Sequence, residues 1–174
     1  MSRPTVAVID LKALRANFAL AQSLTPGAST IPMVKANAYG HGMIEVSRAL
    51  SESAPAFGVA SIDEALVLRE AGIKQPILLL EGTFSCDEVG VAADNNFILM
   101  VENSAQKDAI LNASISRPVS VWLGIDTGMH RLGFEPHEVT QAYLALSNTD
   151  NVAKPIVAAS HFACADDLGS SATE

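Results

Sequence analysis

The stretch PILLLEGTFSCDEVGVAADNNFILMV, residues 76–101, decides the fold class of this chain. It opens with the apolar run PILLL and closes with the apolar run FILMV, each the length of a buried strand. Between them, Ser85 and Glu88 have the spacing of a capping box and predict the start of a short helix. Two buried strands joined by a helix predict parallel pairing with a right-handed crossover.

The same alternation of strand and helix continues on both sides of this segment. The run TVAVIDL, which begins at Thr5, predicts an N-terminal strand, and we assign it to residues 1–10. Six further strands are predicted, at 31–35, 56–60, 77–80, 97–101, 119–125 and 155–160. Five such strands would satisfy an open doubly wound sheet, whereas an eight-stranded barrel needs roughly 250 residues. The pattern therefore permits an open sheet or a barrel that stops before its last two strands.

Helix starts are marked by capping residues. Asp10 is placed to cap the first helix, and the pair Ser61 and Glu64 repeats the capping-box spacing. Asn103 or Ser104 caps a later helix. With no internal break in composition, we expect one domain over residues 11–168, followed by a polar tail at 169–174.

Composition and charge exclude some classes of function. The 174 residues carry a formal net charge of −8 and no lysine- or arginine-rich run, which argues against nucleic-acid binding. Two cysteines far apart, Cys86 and Cys164, form no disulfide framework and fit a reduced compartment. No signal peptide or membrane span is evident, so we expect a cytoplasmic protein.

Polar residues follow several predicted strands at the point where each strand ends. They are Lys35 with Tyr39 after it, Glu81, Arg131 and His161. Because the carboxyl ends of parallel strands meet at one rim, we expect these side chains to lie close together. A lysine walled by apolar strands loses hydration, which lowers an amine's pKa and allows it to form an imine with an aldehyde. Arg131 offers a planar donor pair for a carboxylate or an oxyanion.

Simpler interpretations exist for each of these residues taken alone. A lysine at a strand end is commonly solvated, and Gly-His-Gly at residues 40–42 commonly forms a plain turn. Asp-Thr-Gly at residues 126–128 also marks aspartic proteases, but those are all-β proteins. His161, Cys164 and Asp166 resemble a loose metal cluster, yet no second ligand group with matching spacing follows, so we predict no metal site.

Four blocks in order carry a resemblance to a known family. They are VKANAYGHG (34–42), ASIDEALVLREAGI (60–73), DTGMHRLGF (126–134) and SHFACADD (160–167). Together they resemble the corresponding blocks of alanine racemase and cover nearly the whole chain to about residue 168. The resemblance implies an enzyme dependent on pyridoxal 5′-phosphate. Its fold would be an N-terminal parallel (β/α)8 TIM-type barrel, followed by a C-terminal β-domain and assembled as a homodimer.

The resemblance also implies roles for particular residues. Lys35 would bind the cofactor as an imine and act as the base on the D-alanine side. Tyr39 would bond the phosphate, Leu80 would touch the cofactor, and His161 would lie beside its ring. Arg131 would contact the cofactor's phenolic oxygen and the substrate carboxylate. The implied activity interconverts L-alanine and D-alanine and supplies D-alanine to peptidoglycan.

Two departures from the family pattern limit these expectations. The family commonly has a lysine, often carbamylated, two positions before the Asp of DTGM, where it orients the arginine; here that residue is Gly124. We expect Arg131 to be placed more loosely, with water or a small anion beside Gly124.

The second departure is length, since only about six barrel strands are present. The chain looks like half of an alanine racemase, without the partner-subunit tyrosine that supplies the second base. We therefore expect the chain alone to be inactive. The alternatives are a broad-specificity amino-acid racemase, or a non-catalytic or truncated protein that binds pyridoxal phosphate.

Overall fold

The computed structural model describes residues 4–172 and centres on one sheet of five strands. The strands are β1 (Phe57–Val59), β2 (Ile77–Leu79), β3 (Phe97–Val101), β4 (Ser120–Ile125) and β5 (Val157–Ser160). Each strand pairs in parallel with the next one along the chain. The apolar runs that predicted parallel strands therefore form them.

Helices alternate with these strands. They are α1 (Leu11–Leu24), α2 (Lys35–Tyr39), α3 (Met43–Leu50), α4 (Ile62–Glu70), α5 (Asp87–Asp94), α6 (Ser104–Leu111) and α7 (Pro136–Ser147). The first three precede β1, and each of α4 to α7 connects one strand to the next. The strand order never reverses, so the sheet has no switch point and curls in one direction. The fold is an incomplete parallel barrel, and the doubly wound alternative is wrong.

The hydrophobic core lies between the sheet and its helices. The side chains of Phe57, Ile77, Leu79 and Phe97 are almost completely buried. On β3 burial alternates, with every second residue only half-buried. Alternate residues of a strand point to opposite faces, and Met100, one of the half-buried residues, lines the inner side of the curl.

The predicted strand at 31–35 is reduced to a single bridge. Met33 pairs with Gly58, the Val34 N–H donates to the Gly58 carbonyl at 2.8 Å, and the Gly58 N–H donates to the Pro32 carbonyl at 3.0 Å. Pro32 has no N–H to donate, and helical geometry already begins at Lys35. The prediction of a full strand here is wrong, although the segment still lies beside β1.

The predicted N-terminal strand is also absent from the described residues. Residues 1–3 of that prediction lie outside them, and residues 4–10 form no strand. Val6 and Val8 are 76% and 86% exposed. A strand needs a neighbour for its backbone hydrogen bonds and a surface for its apolar face. Neither is present beside this segment in the part of the chain that the structure describes.

The capping predictions had mixed outcomes. Asp10 accepts hydrogen bonds from the N–H groups of Lys12 and Ala13, and Asn103 caps α6, as predicted. The two predicted capping boxes are wrong in detail. Glu64 and Glu88 instead accept from the backbone N–H four residues before each of them. Both carboxylates therefore tie down the loop that precedes their helix.

The described chain is irregular beyond β5. Residues 161–172 contain no helix or strand, and residues 173–174 of the predicted polar tail lie outside the described part. No helix within residues 4–172 is long and apolar enough to cross a bilayer.

Candidate active site

A cavity of about 520 Å³ opens at the carboxyl ends of the strands. That volume lies within the range of pockets that bind small molecules. The ends of four strands and the loops after them reach the cavity, and so does the segment that carries Lys35. The convergence of the strand ends at one rim was predicted from the alternation of strand and helix.

Lys35 stands where the bridged segment ends and α2 begins. It is half-buried, and it lines the cavity together with Arg131 and His161. The lysine thus does not project from an outer edge of the sheet into solvent. Leu80, directly after β2, forms part of the same wall.

The backbone after Lys35 forms a left-handed helical turn. Four successive residues, Ala36 to Tyr39, have φ angles of 50°, 54°, 52° and 53°. For residues other than glycine this conformation costs about 1–2 kcal/mol each. The turn ends at Gly40, whose φ of 87° suits glycine. Such a run of strained residues requires contacts that hold it in place.

Two side chains hold this turn. Glu64 Oε1 accepts a hydrogen bond from the Ala36 N–H at 2.7 Å, while its Oε2 accepts from the Ala60 N–H at 2.8 Å. Asn37 Oδ1 accepts from the Met43 N–H at 2.8 Å and joins the turn to α3. Glu64 therefore links α4 directly to the residue after Lys35.

Tyr39 and His41 do not reach the cavity. Tyr39, the last residue of the left-handed turn, is 63% exposed and does not line the cavity wall. His41 Nδ1 lies 2.8 Å from the carbonyl of Ala38 and closes the turn. The simpler interpretation of Gly-His-Gly as a turn thus describes its conformation.

Arg131 is carried by a loop that folds back onto β4. The Asp126 N–H donates to the Phe134 carbonyl, and the Phe134 N–H donates to the Gly124 carbonyl, both at 2.9 Å. Within the loop, Asp126 Oδ1 accepts from the N–H groups of His130 and Gly128 at 2.9 and 3.0 Å. Both backbone hydrogen bonds lower the pKa of Asp126, and the one from the His130 N–H has the larger effect.

The end of β5 contacts this loop. The hydroxyl oxygens of Thr127 and Ser160 lie 2.5 Å apart. His161, the next residue, borders the cavity and is exposed. This contact brings His161 and the Arg131 loop to the same side of the cavity.

The space beside Gly124 is occupied by a side chain of the protein. A Cβ atom built on Gly124 would lie 2.9 Å from Cγ and 3.5 Å from Oε1 of Glu102. The expectation of water or a small anion beside Gly124 is therefore wrong for the part of the space that Glu102 fills. Within residues 4–172, no ion pair shorter than 4 Å holds Arg131.

Comparison with known proteins gives concordant matches. Residues 9–174 match the family model of the alanine racemase N-terminal domain. An alanine racemase of Edwardsiella ictaluri is 45% identical over 172 residues, and a catabolic alanine racemase of Pseudomonas aeruginosa is 48% identical over 172. Each alignment covers 99% of this chain and 47–48% of the relative.

Structural comparison identifies the same family. The crystal structure of a biosynthetic alanine racemase from Pseudomonas aeruginosa superimposes with a TM-score of 0.94 at 41% identity, covering 99% of this chain and 48% of that one. This chain belongs to the alanine racemase family. It spans about half the length of the relatives that it matches.

The alanine racemase family implies pyridoxal phosphate, and the residues around the cavity fit most of that group. Lys35 supplies an amine for the aldehyde, Arg131 a cation for an anionic oxygen, and Leu80 an apolar wall for a ring. The residue that the resemblance assigned to the phosphate, Tyr39, lies outside the cavity, so its role stays a prediction. The aldehyde and ring ends of the cofactor are thus matched by residues that the structure brings together.

The cavity residues that the sequence interpretation missed include Met100, Trp122 and Glu102. Met100 and Trp122 are register partners on β3 and β4. Every second residue of a strand faces the same side of the sheet. Taking every second residue from Leu80, and from the residues paired with it on β3 and β4, would have identified the positions that face the cavity. Glu102 lies one residue beyond β3 on the same alternation, so the same count would have reached it.

The left-handed turn leads to a first prediction. Ala36→Gly should leave stability unchanged or raise it by up to about 1 kcal/mol, because glycine relieves the positive φ. The matched control is Ala16→Gly in the right-handed helix α1, which should lose about 1 kcal/mol. Urea unfolding of both variants gives the two values, and equal losses would contradict a left-handed conformation at Ala36.

Glu64 leads to a second prediction. Glu64→Ala should destabilise the chain by about 1–3 kcal/mol, because the N–H groups of Ala36 and Ala60 lose their acceptor. Hydrogen exchange should speed up at these two amides in particular. Glu70→Ala, at the exposed end of the same helix, is the control, and equal exchange in both variants would refute the anchoring role.

The pKa of Asp126 leads to a third prediction. Its pKa is lowered in the folded state, so the ionised form stabilises the loop above the unfolded pKa of about 3.9. This contribution is lost as the pH falls through the lower, folded value. In an NMR titration, the His130 and Gly128 amide signals should move only below about pH 3.9. The Asp126→Asn variant should lack that transition, and a midpoint at or above the ordinary value would contradict these hydrogen bonds.

Proposed function

We propose that this chain is the cofactor-binding part of an alanine racemase that interconverts L-alanine and D-alanine. One observation carries the proposal: Lys35, Arg131 and His161 border a single cavity in a chain of the alanine racemase family. The amine, the guanidinium and the imidazole come from three separate segments of the chain. Their meeting at one rim supports a shared ligand.

The cofactor would contribute electronic stabilisation. When bound, pyridoxal phosphate supplies a ring system that accepts negative charge from the Cα of an amino acid. Lys35 would hold the aldehyde end and, once released, remove or return the Cα proton on one face. Lys35 is half-buried and lines the cavity together with Leu80.

Arg131 would bind and orient the anionic groups. Its guanidinium can donate two parallel hydrogen bonds to a substrate carboxylate and, by resemblance to the family, would also contact the cofactor's phenolic oxygen. The loop from Asp126 to Phe134 holds the backbone on either side of this arginine. His161 would stack on or donate to the ring from the end of β5.

Racemisation needs a second base on the opposite face of the substrate. The resemblance assigns that base to a tyrosine of the partner subunit, outside the sequence of this chain. We therefore propose a homodimer as the active form and no measurable turnover by the 174-residue chain alone. We also propose a cytoplasmic site of D-alanine synthesis for peptidoglycan, which the free thiols of Cys86 and Cys164 support.

The fourth prediction tests cofactor attachment at Lys35. The chain mixed with pyridoxal phosphate should turn yellow, and borohydride reduction should leave the cofactor covalently attached to the peptide that contains Lys35. Lys35→Ala should abolish both signals, whereas Lys74→Ala, at an exposed lysine, should retain them. Attachment to other lysines with no preference for Lys35 would refute the cofactor site.

Activity is tested separately from attachment. The length of the natural open reading frame is determined first, and its complete product is assayed beside the 174-residue chain for D-alanine formed from L-alanine. We expect turnover from a longer product and none from the short chain. Robust turnover by the short chain would contradict the need for a second base from elsewhere. Cofactor attachment without racemisation by any product would indicate a non-catalytic binder.

A further inference from the structure

Glu102 lies directly after β3 and lines the cavity. Its side chain fills the space beside Gly124 on the neighbouring strand, with Cγ 2.9 Å and Oε1 3.5 Å from where a Cβ would lie. Any side chain at position 124 would have to displace it. The absence of a side chain at Gly124 is therefore what admits the Glu102 carboxyl group.

The carboxyl group of Glu102 has an unsatisfied atom. Its Oε2 is buried and has no hydrogen-bond partner within the described residues. Burial raises the pKa of Glu102, the positive charge of Arg131 lowers it, and the carboxylate of Glu81 raises it. A buried acceptor without a partner costs about 1–3 kcal/mol, so the fold gains nothing from this carboxyl group by itself.

Arg131, in turn, has no close acidic partner among the residues that the structure describes. Its guanidinium lines the same cavity, yet no carboxylate lies within 4 Å of it in residues 4–172. Opposite charges in a partly desolvated cavity attract over longer distances than they do in water. Glu102 is the half-buried acid on which the charge of Arg131 acts, and Glu81, the other glutamate of the cavity, is exposed.

We propose that Glu102 is the positioning residue of Arg131, and that its carboxylate supplies from β3 the negative charge that Gly124 cannot supply from β4. In this role Glu102 acts through Arg131. It sets the direction of the guanidinium that would bind the substrate carboxylate. The proposal rests on the proposed function for the meaning of Arg131, but its physical content, a Glu102–Arg131 interaction, is measurable without cofactor.

The fifth prediction uses the chain without cofactor. Phenylglyoxal adds to the guanidine group of arginine, and a carboxylate that holds the guanidinium in one direction hinders that addition. Modification of Arg131, followed by peptide mass spectrometry, should be about three- to tenfold faster in Glu102→Gln than in the parent chain. Exposed Arg117 in the same sample is the internal control and should react at an unchanged rate.

Three further variants separate positioning from general effects. Gly124→Ala should reproduce the faster reaction, because its methyl group displaces Glu102. Glu81→Gln removes a carboxylate from the same cavity without altering the space beside Gly124, and should change the rate less. In Glu102→Ala, added formate should restore slow modification by occupying the vacated space.

The unfolding temperature gives an independent measurement, because the positioning role predicts that loss of the Glu102 charge does not destabilise the fold. Glu102→Gln should unfold at the same or a higher temperature than the parent chain, since a buried charge is removed. Once loaded with pyridoxal phosphate, the same variant should bind the substrate carboxylate roughly tenfold more weakly than the loaded parent protein. A merely structural glutamate would lower the unfolding temperature instead.

The outcomes distinguish this proposal from the proposed function. Equal Arg131 modification rates in the parent and Glu102→Gln would overturn the positioning role, whatever the cofactor does. An effect of equal size in Glu81→Gln would also overturn it. A chain that binds no cofactor but shows the Glu102-dependent rate would refute the proposed function and retain the Glu102–Arg131 interaction.

Discussion

Parallel pairing of the strands in chain order is the constraint on which the rest of the structure depends. It requires each connection to cross the sheet in the same direction, which places the helices on the outer side of a curl. It also brings every strand's carboxyl end to the same rim. This shared rim allows Lys35, Arg131 and His161, far apart in sequence, to line one cavity. Chemistry at this rim therefore follows from topology before any side chain is considered.

Strand and helix order, the rim and most of its polar residues were predictable from the sequence. An apolar run such as that of β2 is buried on both faces, and its length distinguishes it from a helix. The strand prediction for residues 4–10 failed, because an apolar run shows only that a strand is compatible with the sequence. Whether a neighbouring strand is present to pair with it depends on the tertiary structure.

Local conformation in the site was less predictable. No propensity rule predicts four left-handed residues from Ala-Asn-Ala-Tyr, because Ala36 and Ala38 ordinarily favour right-handed helix. The conformation depends on Glu64, which is remote in sequence, and on Asn37, which bonds to α3. Glu102 was missed for a related reason: its position beside Gly124 depends on the register between two strands. Sequence spacing describes a single strand, whereas register is a relation between two.

A strained backbone turn and a partly desolvated carboxyl group adjoin the cavity. The left-handed turn follows Lys35 directly, and the buried, unpartnered oxygen of Glu102 lies beside Gly124. The core below, with Phe57 and Leu79 almost fully enclosed, stabilises the fold enough to tolerate such local costs. Relaxing either feature would favour folding, since a right-handed turn and a neutral residue 102 are both less costly. Their presence at the one rim where a lysine and an arginine meet is best understood as stability given up for the placement of those two cations.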